Sequence, residues 1–402
     1  MKGIYCMDKR RIIMILGFAG FVAMADNWVV SPILPAIAND LNVNIASASI
    51  VITAYMIPFG LFQLLYGYLA ERFGKRQVIT LSVSLFTVAT ALCAFSVSIP
   101  SLTVYRALTG MFAAAIMPVS LALIGDMFPI EERQSAIGAF LGISFLGQGL
   151  SMAIGGSIAQ FLNWRGAFAV YAGLAVVSSI LLFTIGRKIP SQKNTECRML
   201  TPYLNILKNS SSATIYGLVI FEGFFLLGSF SFLGGFLKAS FDLSYLAIGL
   251  VMTAFGMSAL LGGRRAGKIA ARIGRLRTVV LGLSLVLIAD ILAVFAVQSL
   301  PVVIVAVGLM GLGMMFAHST FLTIATEFAA KSRGFAMSLV AFCFMGGGGI
   351  GTAIGSRIVG SAGYGTLFIS YGIGLLVLIF VTFLARRSFQ PQMIQNSKVK
   401  GA

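Results

Sequence analysis

Acidic residues are scarce in this sequence. Aspartate and glutamate number 12 against 29 lysines and arginines, and charged residues make up only 10% of the 402. With 58% hydrophobic residues and a mean hydropathy of +0.96, this excludes a soluble globular domain of ordinary composition. Histidine occurs once, at His318, which excludes a multi-histidine metal centre. Cysteine occurs four times, at Cys6, Cys93, Cys197 and Cys343, with neither metal spacing nor an extracellular disulfide framework. No metal or other cofactor is expected. The glycine run from Gly346 to Gly351 lacks the Lys-Ser/Thr of a phosphate loop and sits inside an apolar stretch. Close helix packing or a flexible, broken helix is the better reading, and nothing suggests ATP drive. With no metal motif and no sizeable soluble segment, an enzyme is not expected.

What the chain has in quantity is long apolar runs. Windows of about 20 residues or more predict twelve membrane-spanning helices. In the first half they cover 12–34, 44–70, 75–97, 101–127, 134–160 and 165–186; in the second, 213–239, 244–267, 276–298, 301–328, 334–360 and 364–386. The fold class is therefore an all-α membrane protein. The start of the chain imitates a secretory signal, with Lys9-Arg10-Arg11, an apolar run and Ala23-Met-Ala25. The run continues past Asp26 to Leu34, so it is expected to remain as the first span.

The net charge of +17 would suit nucleic acid, but its distribution does not. Of the 29 basic residues, only Arg106, Arg165, Lys238 and Arg357 fall in outer halves or outer loops. This is the asymmetry of the positive-inside rule. It predicts both termini on the cytoplasmic side of a cell membrane, with the bilayer as partner and no nucleic acid. Residues 187–212, with Arg187, Lys188, Lys193, Arg198 and Lys208, read as a cytoplasmic linker between an amino-terminal half (1–186) and a carboxy-terminal half (213–402).

The halves repeat. Between the second and third spans lies Gly67-Tyr-Leu-Ala-Glu-Arg-Phe-Gly-Lys-Arg76, a turn too charged for hydrocarbon. Gly267 to Arg275 (GKIAARIGR) repeats its spacing after the eighth span, with Ala271 where the first copy has Glu71. Asp126 to Arg133 (DMFPIEER) follows the fourth span, and Glu327 to Arg333 (EFAAKSR) follows the tenth.

The Gly67 turn resembles the signature loop of the major facilitator superfamily, with glutamate at the position that is usually aspartate. That resemblance implies two six-helix pseudo-repeats with a small-molecule path between them, worked by alternating access. A monomer is expected. Gly67, Glu71, Arg72, Gly74, Arg76 and Asp126 would form an inner gate, with Glu71, Arg72 and Asp126 as its charge network.

Several ionisable residues lie within spans. Asp26 is one, at a cost of about 2.5–3.5 kcal/mol on insertion scales. Asp26 to Pro35 (DNWVVSPILP) resembles the first-span pattern of drug:proton antiporters, making Asp26 either a proton- or cation-binding carboxylate or a structural one. Arg106, in Tyr105-Arg-Ala-Leu-Thr-Gly110, resembles the fourth-span motif associated with proton coupling; snorkelling to outer headgroups is its other reading. Glu222 and His318 lie at matched depth, ~6 Å inside the midplane, either as a proton relay or as two separately satisfied side chains. Asp290 and Arg357 are expected as an ion pair, structural or at an outer gate.

The fifth span has Ser151-Met-Ala-Ile-Gly-Gly156 where such antiporters carry Gly-Pro-x-x-Gly-Gly. The expected function is proton-coupled export of small amphipathic or cationic compounds. The alternative, favoured by the missing Gly-Pro, is a transporter dedicated to one metabolite, lipid or sugar.

Overall fold

A computed structural model describes residues 9–191, 193, 200–295, 299–329 and 333–389. Cys6, Cys197, Arg198, Lys331 and the chain ends at 1–8 and 390–402, whose sidedness was expected above, lie outside the described residues. Among the described residues, eleven helices are long and apolar enough to cross a membrane. The last of them, Arg333–Leu384, has 52 residues, about 78 Å at 1.5 Å per residue and more than twice a hydrocarbon core. It breaks at Gly363, whose φ of +80° L side chains rarely adopt. It therefore holds two spans, and the total is the expected twelve.

Three spans differ from their expected form as single helices, the second only by a short leading helix, Ile45–Ala48, ahead of Ile50–Phe73. The first runs as Lys9–Trp28 and Val30–Asp40, longer than 12–34 and interrupted at Val29. Pro32 explains the interruption, because it has no N–H for the Trp28 carbonyl and its ring crowds that oxygen. The fourth runs as Ile99–Ala113 and Ile116–Met127, and Pro118 acts in the same way on Ala114. The fifth, Ile130–Phe161, is unbroken, as the absence of Gly-Pro would have it.

The two halves meet along the second span (Ile50–Phe73) against the eleventh, and the fifth against the eighth (Tyr245–Ile273). Small residues set the second contact. Gly142, Gly149 and Gly156 lie seven apart on one face of the fifth span; Gly249, Gly256 and Gly263 do the same on the eighth. A Cβ placed on Gly156 would come within 2.4 Å of the Tyr245 carbonyl, and one on Gly256 within 2.4 Å of the Gly149 backbone. One on Gly142 would meet nothing within 4 Å. The fifth and eighth spans therefore touch towards one face of the molecule and diverge towards the face that carries the Gly67 turn, called here the basic face.

At the far face the halves are pinned by polar contacts. Ser356 donates to the Ala46 carbonyl (2.7 Å), and the Tyr245 N–H donates to Gln160 (3.0 Å). The loops of the first half are tied by Asp40, which accepts from Arg165 (2.6 Å) and Trp164 (3.0 Å). Those donors, Arg165 before Trp164, hold the Asp40 carboxyl below its ordinary range. The run Gly346–Gly351 is a packing surface within a continuous helix: Gly347 and Gly351 press on the carbonyls of Ile220 and Phe224 in the seventh span.

Candidate functional site

Each half has a buried carboxyl group paired with a basic side chain between its first and fourth spans. In the first half Arg106 Nη1 donates to Asp26 Oδ2 at 2.7 Å, and both side chains are at most 1% exposed. The Arg106 guanidinium lies 4.3 Å from the Tyr55 ring centroid and 5.6 Å from that of Phe168. This box of one carboxylate and two ring faces makes the guanidinium tolerable inside the membrane. It also disposes of the snorkelling alternative, since the side chain points into the protein. The second oxygen, Asp26 Oδ1, is buried without a hydrogen-bond partner.

In the second half His318, on the tenth span (Leu300–Phe328), places Nδ1 3.2 Å from Glu222 Oε2 on the seventh (Ser210–Phe241). The matched depth read from the sequence is therefore a contact. Glu222 is fully buried, His318 is 22% exposed, and the imidazole lies 4.1 Å from the Phe344 ring. As at Asp26, one oxygen (Oε1) is buried and unpartnered. In each pair one carboxyl oxygen meets a basic side chain, and the other is buried with no hydrogen-bond partner among the described residues.

Between the two pairs the halves touch through aromatic rings. Trp28, two residues beyond Asp26, lies 5.0 Å from Phe230 and 5.1 Å from Phe255, which are themselves 4.4 Å apart. The carbonyl that Pro32 frees belongs to this same stretch, and Ser31 donates to the Phe230 carbonyl (2.9 Å) across the interface. A cavity of about 20 Å3, room for about one water, lies here between Trp28, Ser31, Met56, Phe230 and Ser231.

On the basic face the Gly67 turn is held differently from expectation. Arg72 is not in the charge network: it is exposed, and its guanidinium donates to the Tyr68 hydroxyl and lies 5.8 Å from the Tyr68 and Phe73 rings. Lys75 takes its place, with Nζ 2.8 Å from both Glu71 Oε1 and Asp126 Oδ2. Lys75 opens the third span just past the Gly74 turn, where its buried side chain meets Glu71 at the end of the second span and Asp126 at the end of the fourth, whereas Arg72 is exposed. Gly74 has φ +98°, which a glycine alone holds without strain and which separates the two helices. Arg76 donates from its side chain to the Arg187 carbonyl and from its backbone to Ser191. Gly67 is in ordinary contact with Tyr203 and Ser338. The second copy keeps the plan: Gly274 has φ +86°, and Arg275 forks onto Glu327 with two 2.6 Å bonds.

The expected Asp290–Arg357 pair is not formed. Asp290 is fully buried in the ninth span (Arg275–Phe295) and accepts from Ser229 (3.1 Å). Arg357 is exposed in the eleventh. The expected spans put Asp290 near the middle of the ninth and Arg357 near the outer end of the eleventh, and the two face different surroundings.

Sequence reasoning missed Lys75, although Glu71 four residues before it was a signal. It also missed the Trp28–Phe230–Phe255 cluster, for which spacing offers no signal, because the three rings come from three helices.

A bundle of twelve spans, repeated in halves with paired charges inside each, defines a polytopic membrane protein of the transporter type. The Major Facilitator Superfamily model matches residues 16–244 and 216–400, and the chain belongs to that family. The uncharacterised transporter YceJ of Bacillus subtilis is 26% identical over 275 residues, 66% of this chain and 68% of its own. The puromycin resistance protein pur8 of Streptomyces alboniger is 34% identical over 175 residues, 42% of this chain; the match spans only 35% of pur8. Among solved structures the nucleoside transporter NupG superposes with a TM-score of 0.78 at 14% identity, covering 94% of this chain and 99% of that one. At that identity the likeness concerns the fold.

Proposed function

We propose that the protein is a proton-coupled secondary transporter that exports small amphipathic or cationic compounds by alternating access. The observation that carries this reading is the pair of buried carboxyl groups, Asp26 and Glu222, each with one oxygen on a basic side chain and one unpartnered among the described residues. Asp26 binds the coupling proton: protonation releases Arg106, and the loss of that attraction is felt across the Trp28 contact between halves. Glu222 attracts the cationic part of a substrate. Arg106 and His318 each face a carboxylate, which suits a cation better than an anion. The aromatic rings at the interface accept varied apolar shapes. The resemblance to pur8 supports export of drug-like compounds.

In this reading the basic face is cytoplasmic, both chain ends lie there, and the membrane is that of the cell. The fifth and eighth spans diverge towards that face, while the second and eleventh stay together there at Gly67 and Ser338. The protein works as a monomer, and the Lys75 network holds the Gly67 turn as the halves rock.

A second reading, a transporter dedicated to one metabolite, is favoured by the unbroken fifth helix. Transport in proteoliposomes with an imposed pH gradient, over a panel of lipophilic cations and neutral metabolites, distinguishes them. The first reading expects gradient-driven movement of several cations. Gradient-independent movement of one neutral compound would establish the second.

A further inference from the structure

The Asp26–Arg106 pair has a third member that no hydrogen bond explains. Tyr55, on the second span, is 1% exposed, and its hydroxyl has no hydrogen-bond partner among the described residues. What it offers the pair is a ring face, with the guanidinium carbon 4.3 Å from the centroid. Phe168, the other ring, is farther away at 5.6 Å. Packing fixes where the Tyr55 ring stands. A Cβ on Gly110, one turn along the fourth span from Arg106, would lie 2.2 Å from the Tyr55 carbonyl, so the two helices touch at this level. Phe59 stacks on the ring at 5.5 Å. Two residues before Tyr55, Thr53 donates to the Gly349 carbonyl of the other half (3.3 Å).

Arg106 stays charged at any physiological pH, so its surroundings must hold a cation whether or not Asp26 carries a proton. With Asp26 ionised, the ring meets a neutral ion pair, because its negative face attracts the guanidinium and repels the carboxylate. With Asp26 protonated, the same face meets an uncompensated cation. The ring therefore favours the protonated state, and only such a difference between states can shift their balance. The other titratable side chains within electrostatic reach of the pair are Cys93 on the third span and Tyr171 on the sixth. Both are engaged elsewhere, Cys93 with Thr109 (3.7 Å) and Tyr171 with the Ser151 carbonyl (3.2 Å). The fifth span has no titratable residue between Ala136 and Phe161.

We infer that Tyr55 is a positioning residue for proton coupling: its ring holds the Arg106 guanidinium while Asp26 carries the proton. This rests on the assignment of the coupling proton to Asp26. Without an electron-rich ring at position 55, protonation leaves a buried cation against Phe168 alone, and Asp26 takes up its proton only at lower pH. The second span, tied to the other half through Thr53, carries that hold to the contact between halves.

The test uses the full-length protein with Trp164→Phe, which leaves Trp28 as the sole tryptophan, two residues beyond Asp26 and packed on Phe230 and Phe255. Its fluorescence is titrated with pH in lipid nanodiscs. A transition present in this protein and absent after Asp26→Asn reports the proton on Asp26. Position 55 is then filled by phenylalanine and by its mono-, di- and trifluoro analogues, which keep the shape of the ring while withdrawing electron density from its face. Tyr55→Phe should titrate within about half a pH unit of tyrosine, and each fluorine should move the transition to lower pH, by about one unit in total. Packing alone predicts no order among rings of one shape. Midpoints that ignore fluorination would overturn the role of Tyr55 and leave Asp26 in place. A transition that survives Asp26→Asn, or none in the parent protein, would remove the coupling proton from Asp26 and this inference with it.

Discussion

Asp26–Arg106 and Glu222–His318 fill the same structural role, first span to fourth span, in the two halves. The first is closed on both sides: neither partner is more than 1% exposed, and its cation is a guanidinium that stays charged at any physiological pH. The second is closed on the carboxylate side only, with a 22% exposed imidazole. The first pair is sealed on both sides, whereas the second can be reached from its imidazole side. This asymmetry is why we assign proton coupling to the first half and substrate recognition to the second.

Breaking the first pair should have the largest effect. Arg106→Ala leaves a buried carboxyl group without its cation, and a loss of about 3 kcal/mol is expected, the low end for such pairs because the acid can take up a proton. Transport should disappear with it. Thermal unfolding in detergent checks the first, and a fall in Tm no larger than that of His318→Ala would contradict the contrast between the pairs.

The second pair should respond more selectively. Glu222→Gln removes the carboxyl group that meets the 22% exposed imidazole, so about 1–2 kcal/mol of stability is expected to go. Binding of lipophilic cations should weaken about tenfold or more while neutral compounds bind nearly as before. Equal binding of cations by the variant and the wild type, measured over a mixed panel, would remove Glu222 from the substrate site.

The turns on the basic face give a third contrast. Lys75 bridges two carboxylates in the first copy, and Arg275 holds one in the second. Because these groups are partly exposed, each is worth at most about 1 kcal/mol to stability. Lys75→Gln should nevertheless slow turnover severalfold more than Arg275→Gln, because it frees Glu71 and Asp126 together. Turnover at equal protein level decides this; the reverse order would mean the latch lies in the second half.

Much of this was legible in the sequence, for physical reasons. Hydrocarbon thickness fixes span length, so the twelve apolar windows and the break at Gly363 could be counted from the chain. Charge cannot rest unpaired in lipid, so Asp26, Arg106, Glu222 and His318 announced themselves. What could not be read was direction around a helix axis. Arg72 and Lys75 are three residues apart and equally basic, and only the position of the fourth span distinguishes them. Asp290 and Arg357 failed because span bounds do not show which side chains meet. The Trp28 cluster depends on the bend that Pro32 imposes and on rings from the other half, neither of which has a spacing.

The smallest effect is expected at the far face. Arg165 and Trp164 hold Asp40 below its ordinary value of 3.8, so its contribution is complete above that value and is lost as pH falls through the lower, folded one. Asp40 is nearly half exposed, which limits the contribution to ~0–1 kcal/mol. Asp40→Asn should lower Tm slightly at pH 7 and not at all near pH 2. A difference that grows towards low pH would show that the tie is not ionic.

Proton coupling through Asp26 is tested most directly by reconstituting Asp26→Asn beside the wild type and measuring two modes in the same vesicles. One is uphill transport of a lipophilic cation driven by an imposed pH gradient. The other is counterflow exchange with no gradient, which needs a folded protein and no net proton movement. The account predicts that Asp26→Asn loses the first and keeps the second. Gradient-driven accumulation by Asp26→Asn at the wild-type level would contradict it.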